Sequence, residues 1–269
     1  MIIFKSINKL NKEVNFKANL GFVPTMGALH KGHLSLIESS LKRCDKTIVS
    51  IFVNPSQFNN MNDYKVYPRN LLRDIKVLKK KGVDYLFMPE KNEIFKSKKN
   101  MKIKINYKDK VLCAKYRKGH FEGVLGVINQ FLKIIKAKYM FLGEKDYQQI
   151  YLIKKFIKNK YKTKIISVKT LRDKNLLAYS SRNLLLGKQD LKKASKITKK
   201  IKYLHNLIKK NFKNLNNLNN IKKNILNEGV KIDYFEIRNK NNFSKKINKS
   251  NFKIFIAYYI NRIRLIDNF

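Results

Sequence analysis

The stretch that decides the fold is LGFVPTMGALHKGH, which runs from Leu20 to His33. Its first four residues are apolar apart from one glycine, and they predict a buried strand that Pro24 ends. A turn with two glycines and two histidines, His30 and His33, follows, and the apolar residues after it recur at helical spacing. A strand, a turn and a helix in this order are typical of a parallel α/β sheet.

The same alternation continues outward through the first half of the chain. Further predicted strands cover residues 47–53, 84–88, 139–142 and 164–170. Predicted helices lie between them at residues 71–78, 124–136 and 146–158. The pattern predicts a Rossmann-like parallel sheet with helices on both faces, in which ligands bind at the carboxyl ends of the strands.

The C-terminal part of the chain has a different composition. It contains no proline, and residues 191–226 are rich in Lys and Asn with apolar residues at helical spacing. Short alternating runs that predict strands follow at residues 232–237 and 252–259. We therefore predict a first domain over residues 1–170 and a smaller α+β domain over residues 171–269. The repetitive segment 209–223 fits either a helix edge or a loop.

The net charge of +43 raises the question of a nucleic-acid partner. Only nine of the 61 basic residues are Arg, the residue best suited to bidentate contacts with phosphates and bases. The lysines are spread over the whole chain and form no basic block beside stacking aromatic residues. We expect a mostly solvated basic surface and no specific nucleic-acid partner, with polyanion binding as the alternative.

Hydrophobic residues make up 43% of the 269 residues, which predicts a globular protein. No apolar run approaches the about 18 residues that a membrane-spanning helix needs, and the N-terminal residues do not resemble a signal peptide. The two cysteines, Cys44 and Cys113, lack the spacing of metal ligands. We therefore expect a cytoplasmic protein without a membrane partner.

The turn His30-Lys31-Gly32-His33 gives the strongest indication of chemistry. A helix N-terminus presents free N–H groups and a partial positive charge, which attract phosphate. Gly27 and Gly32 allow close approach of the backbone, and two imidazoles can stabilise charge that builds up on phosphates during nucleotidyl transfer. Two of the four histidines lie in this one turn, which argues against incidental surface histidines. The turn alone is typical of the broad nucleotidylyl-transferase superfamily.

Three further segments carry candidate site residues. In the run FLGEKDYQQ, Lys145 supplies a charge for a phosphate, while Asp146 also fits a helix cap. The run SSRN at residues 180–183 can grip a triphosphate, although an ordinary capped turn explains it equally well. In the run NPSQF, Asn54 and Gln57 offer amides that could orient a hydroxylated carboxylate, but taken alone a plain loop is the simpler interpretation.

Together these segments resemble the pantoate–β-alanine ligase (pantothenate synthetase) family. The matching segments, in order, are PTMGALHKGH, VSIFVNPSQF, YPRN, KGHFEGV, FLGEKDYQQ, YSSRN and the terminal RLIDN. The resemblance covers residues 21–268, and the runs SIFVNPSQF and GEKDYQQ are specific to this family. It implies condensation of pantoate with β-alanine through a pantoyl adenylate, with release of AMP and pyrophosphate. It also implies ATP as a substrate, Mg²⁺ held largely by phosphate oxygens, and a homodimer.

The resemblance assigns roles to single residues. Catalytic roles are implied for the proton donor His33 and for the phosphate-handling residues His30, Lys145 and Arg182. ATP contacts, the last five from the second domain, are implied for Met26, Gly27, Ala28, Leu29, His30, Lys31, Gly32, His33, Gly143, Glu144, Lys145, Asp146, Leu171, Tyr179, Ser180, Ser181 and Arg182. Gln57 matches a residue that touches pantoate and β-alanine, and Gln149 matches a pantoate ligand. Asp74 is the candidate carboxylate near Mg²⁺.

The chain departs from the family pattern in several loops. The departures are Cys113-Ala114 for Glu-Gly, Lys118 for proline, Asn175-Leu176 for Asp-Gly, and Asn261 for glycine. Asn261 is mild, because Asn tolerates left-handed geometry. Leu176 is more serious, because the turn is expected to need a positive φ. The phosphate-handling residues are intact, so we expect an active enzyme of reduced stability.

Three rival interpretations remain. The first is a different adenylyltransferase of the same superfamily. The second is a nucleic-acid-binding protein that retains an enzyme fold. The third is a structural relic, against which the intact His30, His33, Lys145 and Arg182 argue.

Overall fold

A computed structural model describes residues 1–95 and 103–269. The chain divides into two compact units: the first comprises Met1–Tyr107 and Arg117–Lys169, and the second comprises Lys108–Tyr116 and Thr170–Phe269. The main boundary between the units falls between Lys169 and Thr170. Nothing in the sequence indicated that the short segment Lys108–Tyr116 belongs to the second unit.

The elements are numbered along the described residues. The strands are β1 (Ile2–Phe4), β2 (Leu20–Thr25), β3 (Lys46–Ile51), β4 (Tyr85–Phe87), β5 (Tyr139–Gly143), β6 (Lys164–Val168), β7 (Lys231–Asn239), β8 (Phe252–Ile260) and β9 (Ile263–Asn268). The helices are α1 (Ile7–Glu13), α2 (Lys31–Arg43), α3 (Met61–Val66), α4 (Leu71–Lys80), α5 (Lys91–Ile94), α6 (Cys113–Tyr116), α7 (His120–Ile134), α8 (Tyr147–Ile157), α9 (Lys188–Lys210) and α10 (Leu218–Leu226). None of the helices in these ranges is long and apolar enough to cross a membrane.

Over the described residues, the strands of the first unit form one parallel sheet in the order β1-β4-β3-β2-β5-β6. From β2 the chain adds β3 and β4 on one side, and then returns to add β5 and β6 on the other. The order therefore reverses between β2 and β5, and the loops after these two strands diverge to leave a crevice. The predicted Rossmann-like parallel sheet is confirmed.

Helices cover both faces of this sheet. Phe22 and Val23 are neighbours on β2, so their side chains point to opposite faces. Val23 lies in a buried cluster with Ile37 of α2 and Leu78 of α4. Phe22 packs edge-on against Phe131 of α7, with 5.6 Å between ring centroids. The central strand is thus buried on both sides, as its apolar sequence requires.

The prediction that Pro24 ends the strand was wrong, because β2 continues to Thr25. The carbonyl of Leu20 accepts the N–H of Lys138 on the β5 side. Successive strand residues bond to alternate sides, so the nitrogen of Pro24 also faces the β5 side. Pairing with β5 ends at Phe22, and the missing N–H of proline therefore deprives no β5 carbonyl of a partner.

The second unit is an antiparallel sheet, in the order β7-β8-β9, covered by two helices. Its buried cluster includes Ile201 of α9, Ile225 of α10 and Ile256 of β8. The predicted α+β domain is confirmed. The repetitive segment that sequence alone left undecided forms a 3-10 turn over Phe212–Asn217 and then enters α10.

Candidate active site

Two loops leave the first unit's sheet where its strand order reverses. One follows β2 and leads into α2, and the other follows β5 and leads into α8 through the 3-10 turn Glu144–Asp146. In open parallel sheets this crevice is where ligands bind. Two of the predicted phosphate-handling segments therefore lie at the expected edge of the sheet.

The loop after β2 turns through two residues with left-handed backbone. Gly27 has a φ of 78° and Ala28 a φ of 48°. This conformation suits glycine but strains alanine, so the surroundings must hold it in place. The N–H of Gly27 donates to Oγ1 of Thr25 at 3.2 Å, and that hydroxyl donates to the carbonyl of Ser50 at 2.8 Å.

Asp74 of α4 provides the main support for this loop. Its Oδ2 accepts the N–H of Ala28 and its Oδ1 accepts the N–H of Leu29, both at 2.8 Å. Asp74 is only 2% exposed, and burial raises the pKa of its carboxyl group although the two backbone hydrogen bonds oppose the rise. These contacts give Asp74 a loop-holding role that the sequence did not indicate. Its role as a metal ligand stays a prediction, and the described residues contain no group of three His, Cys, Asp or Glu that could hold a metal.

His30 and His33 lie at the start of α2. Their rings stack with centroids 3.9 Å apart, and the Nδ1 atoms of both are buried without a hydrogen-bond partner among the described residues. Burial lowers the pKa of His30 to about 2, and the nearby His33 and Lys145 add to this effect while Asp146 opposes it. Burial, with a contribution from Lys145, lowers the pKa of His33 to about 4. Both rings are therefore neutral at pH 7.

Lys145 lies in the turn after β5, where its charge acts on both histidines. Its side chain is 19% exposed, and its Nζ is 3.7 Å from Oδ1 of Asp146. Asp146 precedes α8 but makes no side-chain capping hydrogen bond, so the helix-cap alternative is not supported. Gln149 is half-buried in the first turn of α8.

The loop after β3 is a 3-10 turn, Pro55–Gln57. Asn54 is fully buried, its Oδ1 accepts the N–H of Ser56 at 3.2 Å, and its Nδ2 donates to the carbonyl of Gly123 at 3.1 Å. Asn54 thus ties this loop to α7. Gln57 itself is half-buried at the end of the turn.

A model of the family described as pantoate–β-alanine ligase matches residues 2–269. This chain belongs to the pantoate–β-alanine ligase family. It is therefore an enzyme of the ligase class. The pantothenate synthetases of Francisella philomiragia and Francisella tularensis subsp. novicida are each 41% identical to it, over 278 and 274 aligned residues, and each alignment covers 100% of this chain and 97% of the relative.

Solved structures of the family are similar over the full length. The crystal structure of pantothenate synthetase from Thermus thermophilus has a TM-score of 0.92 at 28% identity, covering 100% of this chain and 99% of that one. The Francisella tularensis pantoate–β-alanine ligase, crystallised with β,γ-ATP and β-alanine, has a TM-score of 0.86 at 39% identity, covering 100% and 97%.

The remaining ATP contacts implied for a pantoate–β-alanine ligase lie in the second unit. The N–H of Tyr179 donates to the carbonyl of Leu171 at 3.2 Å, so these two residues are neighbours. Ser180 begins a 3-10 turn, and its Oγ accepts the N–H of Arg182 at 3.3 Å. Ser181 is buried within that turn. The capped turn describes the local structure, and ATP contact by these residues stays a prediction.

The departures from the family pattern at Leu176 and Asn261 both fall on left-handed backbone, with φ of 71° and 54°. The expected positive φ is therefore confirmed. Arg172 fixes the turn, because its NH1 donates to the carbonyl of Leu176 at 3.0 Å. The same guanidinium makes a bidentate ion pair with Asp267, at 2.7 and 2.8 Å, which gives the terminal RLIDN run a structural role.

The departure at Cys113 is accommodated inside the second unit. Its Sγ is 3.0 Å from the hydroxyl of Tyr234 and 3.6 Å from both terminal nitrogens of Arg264. Arg264 is also paired with Asp233, its Nε donating to Oδ2 at 2.8 Å. A small thiol thus lies beside a half-buried guanidinium, at the position where the resemblance leads us to expect Glu.

Proposed function

We propose that this ligase condenses pantoate with β-alanine in two steps at the crevice between β2 and β5. In the first step the pantoate carboxylate attacks the α-phosphorus of ATP, the bond to pyrophosphate breaks, and pantoyl adenylate forms. In the second step the β-alanine amine attacks the acyl carbon and AMP leaves. A carboxylate is a poor acyl donor, whereas an acyl adenylate has a good leaving group, which is why ATP is consumed.

The observation that carries this proposal is the pair of neutral, stacked imidazoles of His30 and His33 at the start of α2, within the field of Lys145. Neutral rings donate N–H groups to phosphate oxygens, and Lys145 supplies the positive charge. A bound triphosphate favours the protonated form of each ring and raises its pKa, because the phosphates are negatively charged. His33 can then give a proton to the departing pyrophosphate.

Gln57 and Gln149 are the proposed pantoate contacts, with Gln57 also facing β-alanine. Both are half-buried and lie in loops or first helical turns after the carboxyl ends of strands, where ligands of parallel sheets bind. The solved Francisella relative, complexed with β,γ-ATP and β-alanine, supports ATP and β-alanine as substrates. Mg²⁺ enters as part of the substrate complex, because hard cations take oxygen ligands from the triphosphate and water.

Pyrophosphate exchange tests the first step. We expect labelled pyrophosphate to enter ATP only when pantoate is present, and we expect His33→Ala to lower the rate about a hundredfold or more, the usual cost of removing a group that stabilises transition-state charge. His205→Ala is the matched control, because His205 lies in the second unit and burial likewise lowers its pKa to about 4. Equal rates for wild type and His33→Ala would contradict the role of His33.

The same assay, together with a measurement of DNA binding, separates the rival functions. A different adenylyltransferase would exchange pyrophosphate only with its own acceptor substrate, and pantoate would not support the exchange. A nucleic-acid-binding protein would bind DNA at physiological salt with a steep salt dependence and would not turn over ATP. The cytoplasmic location expected from the sequence and the homodimer implied by the resemblance stay predictions.

A further inference from the structure

Arg117 and His120 contact the loop that carries Gln57, although neither is assigned a substrate contact. The carbonyl oxygen of Gln57 lies 2.6 Å from Nδ1 of His120 and 3.1 Å from NH2 of Arg117. A carbonyl has two lone pairs, so these two donors occupy both.

The two donors also hold each other. NH1 of Arg117 lies 2.9 Å from Nε2 of His120. A guanidinium only donates, so Nε2 must accept, and the proton of the neutral ring is then on Nδ1, where it points at Gln57. Arg117 therefore sets the tautomer that His120 needs for its bond to the Gln57 carbonyl.

The start of α7 approaches the same loop through its backbone. A Cβ built on Gly123 would lie 2.1 Å from the carbonyl oxygen of Ser56, a distance at which the loop has to move. The carbonyl of Gly123 accepts the side chain of Asn54, as described above. Contacts from Arg117, His120 and Gly123 thus hold the turn that ends at Gln57.

We propose that Arg117 and His120 are positioning residues that orient Gln57 toward pantoate. The inference rests on the proposed function, because it takes Gln57 as a pantoate contact. The pair acts through the Gln57 backbone, in the loop after β3, whereas the histidine turn follows β2. Losing the pair should weaken pantoate binding and leave ATP binding unchanged.

The test is pantoate-dependent pyrophosphate exchange with each substrate varied in turn. We expect His120→Ala to raise the KM for pantoate about tenfold, the effect of losing roughly one hydrogen bond's worth of positioning, with the KM for ATP unchanged within about twofold. Arg117→Lys should give a smaller rise, because one ammonium cannot reach both the carbonyl and Nε2. Gly123→Ala should give the same selective rise by a steric route.

A double variant shows whether the pair acts through Gln57. The pantoate KM of His120→Ala combined with Gln57→Ala should equal that of Gln57→Ala alone, because the positioned group is already gone. If the two substitutions instead raise the pantoate KM by factors that multiply in the double variant, the proposal is overturned. The control is Arg69→Ala, which removes an arginine that also donates to a backbone carbonyl, that of Tyr64 in α3 at 2.9 Å, and should change neither KM.

A purely structural role would lower the folded fraction and kcat for every substrate without changing either KM. That result would overturn the inference and leave the proposed function intact. An unchanged pantoate KM in folded His120→Ala, or a parallel rise of both KM values, would do the same. A wild type with no pantoate-dependent exchange would instead overturn the proposed function, and this inference with it.

Discussion

Asp74 is the residue whose contacts bear most directly on the histidine turn, because it accepts two successive N–H groups of the strained loop. Asp74→Asn keeps the shape but turns one acceptor into an NH2 donor, so one loop amide loses its partner. We expect the KM for ATP in pyrophosphate exchange to rise about tenfold or more, the effect of leaving one buried N–H unsatisfied. The KM for pantoate should stay unchanged.

Asp84→Asn is the control for this prediction. Asp84 accepts the N–H of Thr47 at 2.9 Å and Nζ of Lys46 at 2.8 Å, at the amino ends of β3 and β4, the opposite edge of the sheet. Its loss should affect stability and not the KM for ATP. Raising the Mg²⁺ concentration separates the two roles of Asp74: recovery of Asp74→Asn would favour a metal ligand, and no recovery favours the loop support.

At the scale of elements, the turn around Leu176 carries stored strain. A leucine with a φ of 71° costs about 1–2 kcal/mol, and glycine at this position removes the cost at the expense of some unfolded-state entropy. We expect Leu176→Gly to raise the free energy of unfolding by about 1 kcal/mol in urea denaturation. Asn261→Gly should change it much less, because Asn tolerates this conformation. Equal effects would mean that strain is not the cause.

The elements of the parallel sheet were predictable because each combines an apolar strand with a helix of regular apolar spacing. Two strands, β1 in the parallel sheet and β9 in the antiparallel sheet, were not predicted. In β1, two of three residues are exposed, so no buried run marks it. In β9, Arg264 and Asp267 interrupt the alternation, and each is made tolerable by an ion pair with a residue distant in the sequence.

The candidate site was predictable to the extent that its chemistry is local. His30, His33 and Lys145 lie in short runs after strands. The residues of such a turn that contact a ligand are close together in the sequence, so the sequence pattern shows them. The supports of those turns lie far along the chain: Asp74 is 45 and 46 residues from the amides it accepts, and His120 is 63 residues from Gln57. Such contacts depend on packing between elements, which periodicity does not report.

The stability of the whole molecule should depend on its buried histidines. Unfolded histidines bind protons below a pKa of about 6.5, while burial lowers the folded pKa of His33 and His205 to about 4 and that of His30 to about 2. Below pH 6.5 the unfolded state therefore binds more protons than the folded state, and stability falls as the pH falls.

Urea denaturation at pH 7.0, 6.0 and 5.0 checks this dependence. We expect the free energy of unfolding to decrease as the pH falls. The limiting slope of free energy against pH should correspond to the uptake of up to three protons on unfolding, one for each of these histidines. His33→Gln should show a slope smaller by one proton. The raised pKa of Asp74 favours the folded state as the pH falls, which opposes the effect of the histidines. This contribution is the same in wild type and His33→Gln, so it cancels when their slopes are compared. Equal slopes in the two proteins would contradict the neutral state of His33.

The assignment of residues 108–116 to the second unit has a consequence for how the protein is made. A ribosome releases this segment well before the rest of its unit, and Tyr234 and Arg264, which contact the thiol of Cys113, are synthesised 121 and 151 residues later. At ordinary translation rates the wait is on the order of ten to thirty seconds. During that interval the thiol that is buried in the finished protein is open to any oxidant or chaperone that the nascent chain meets.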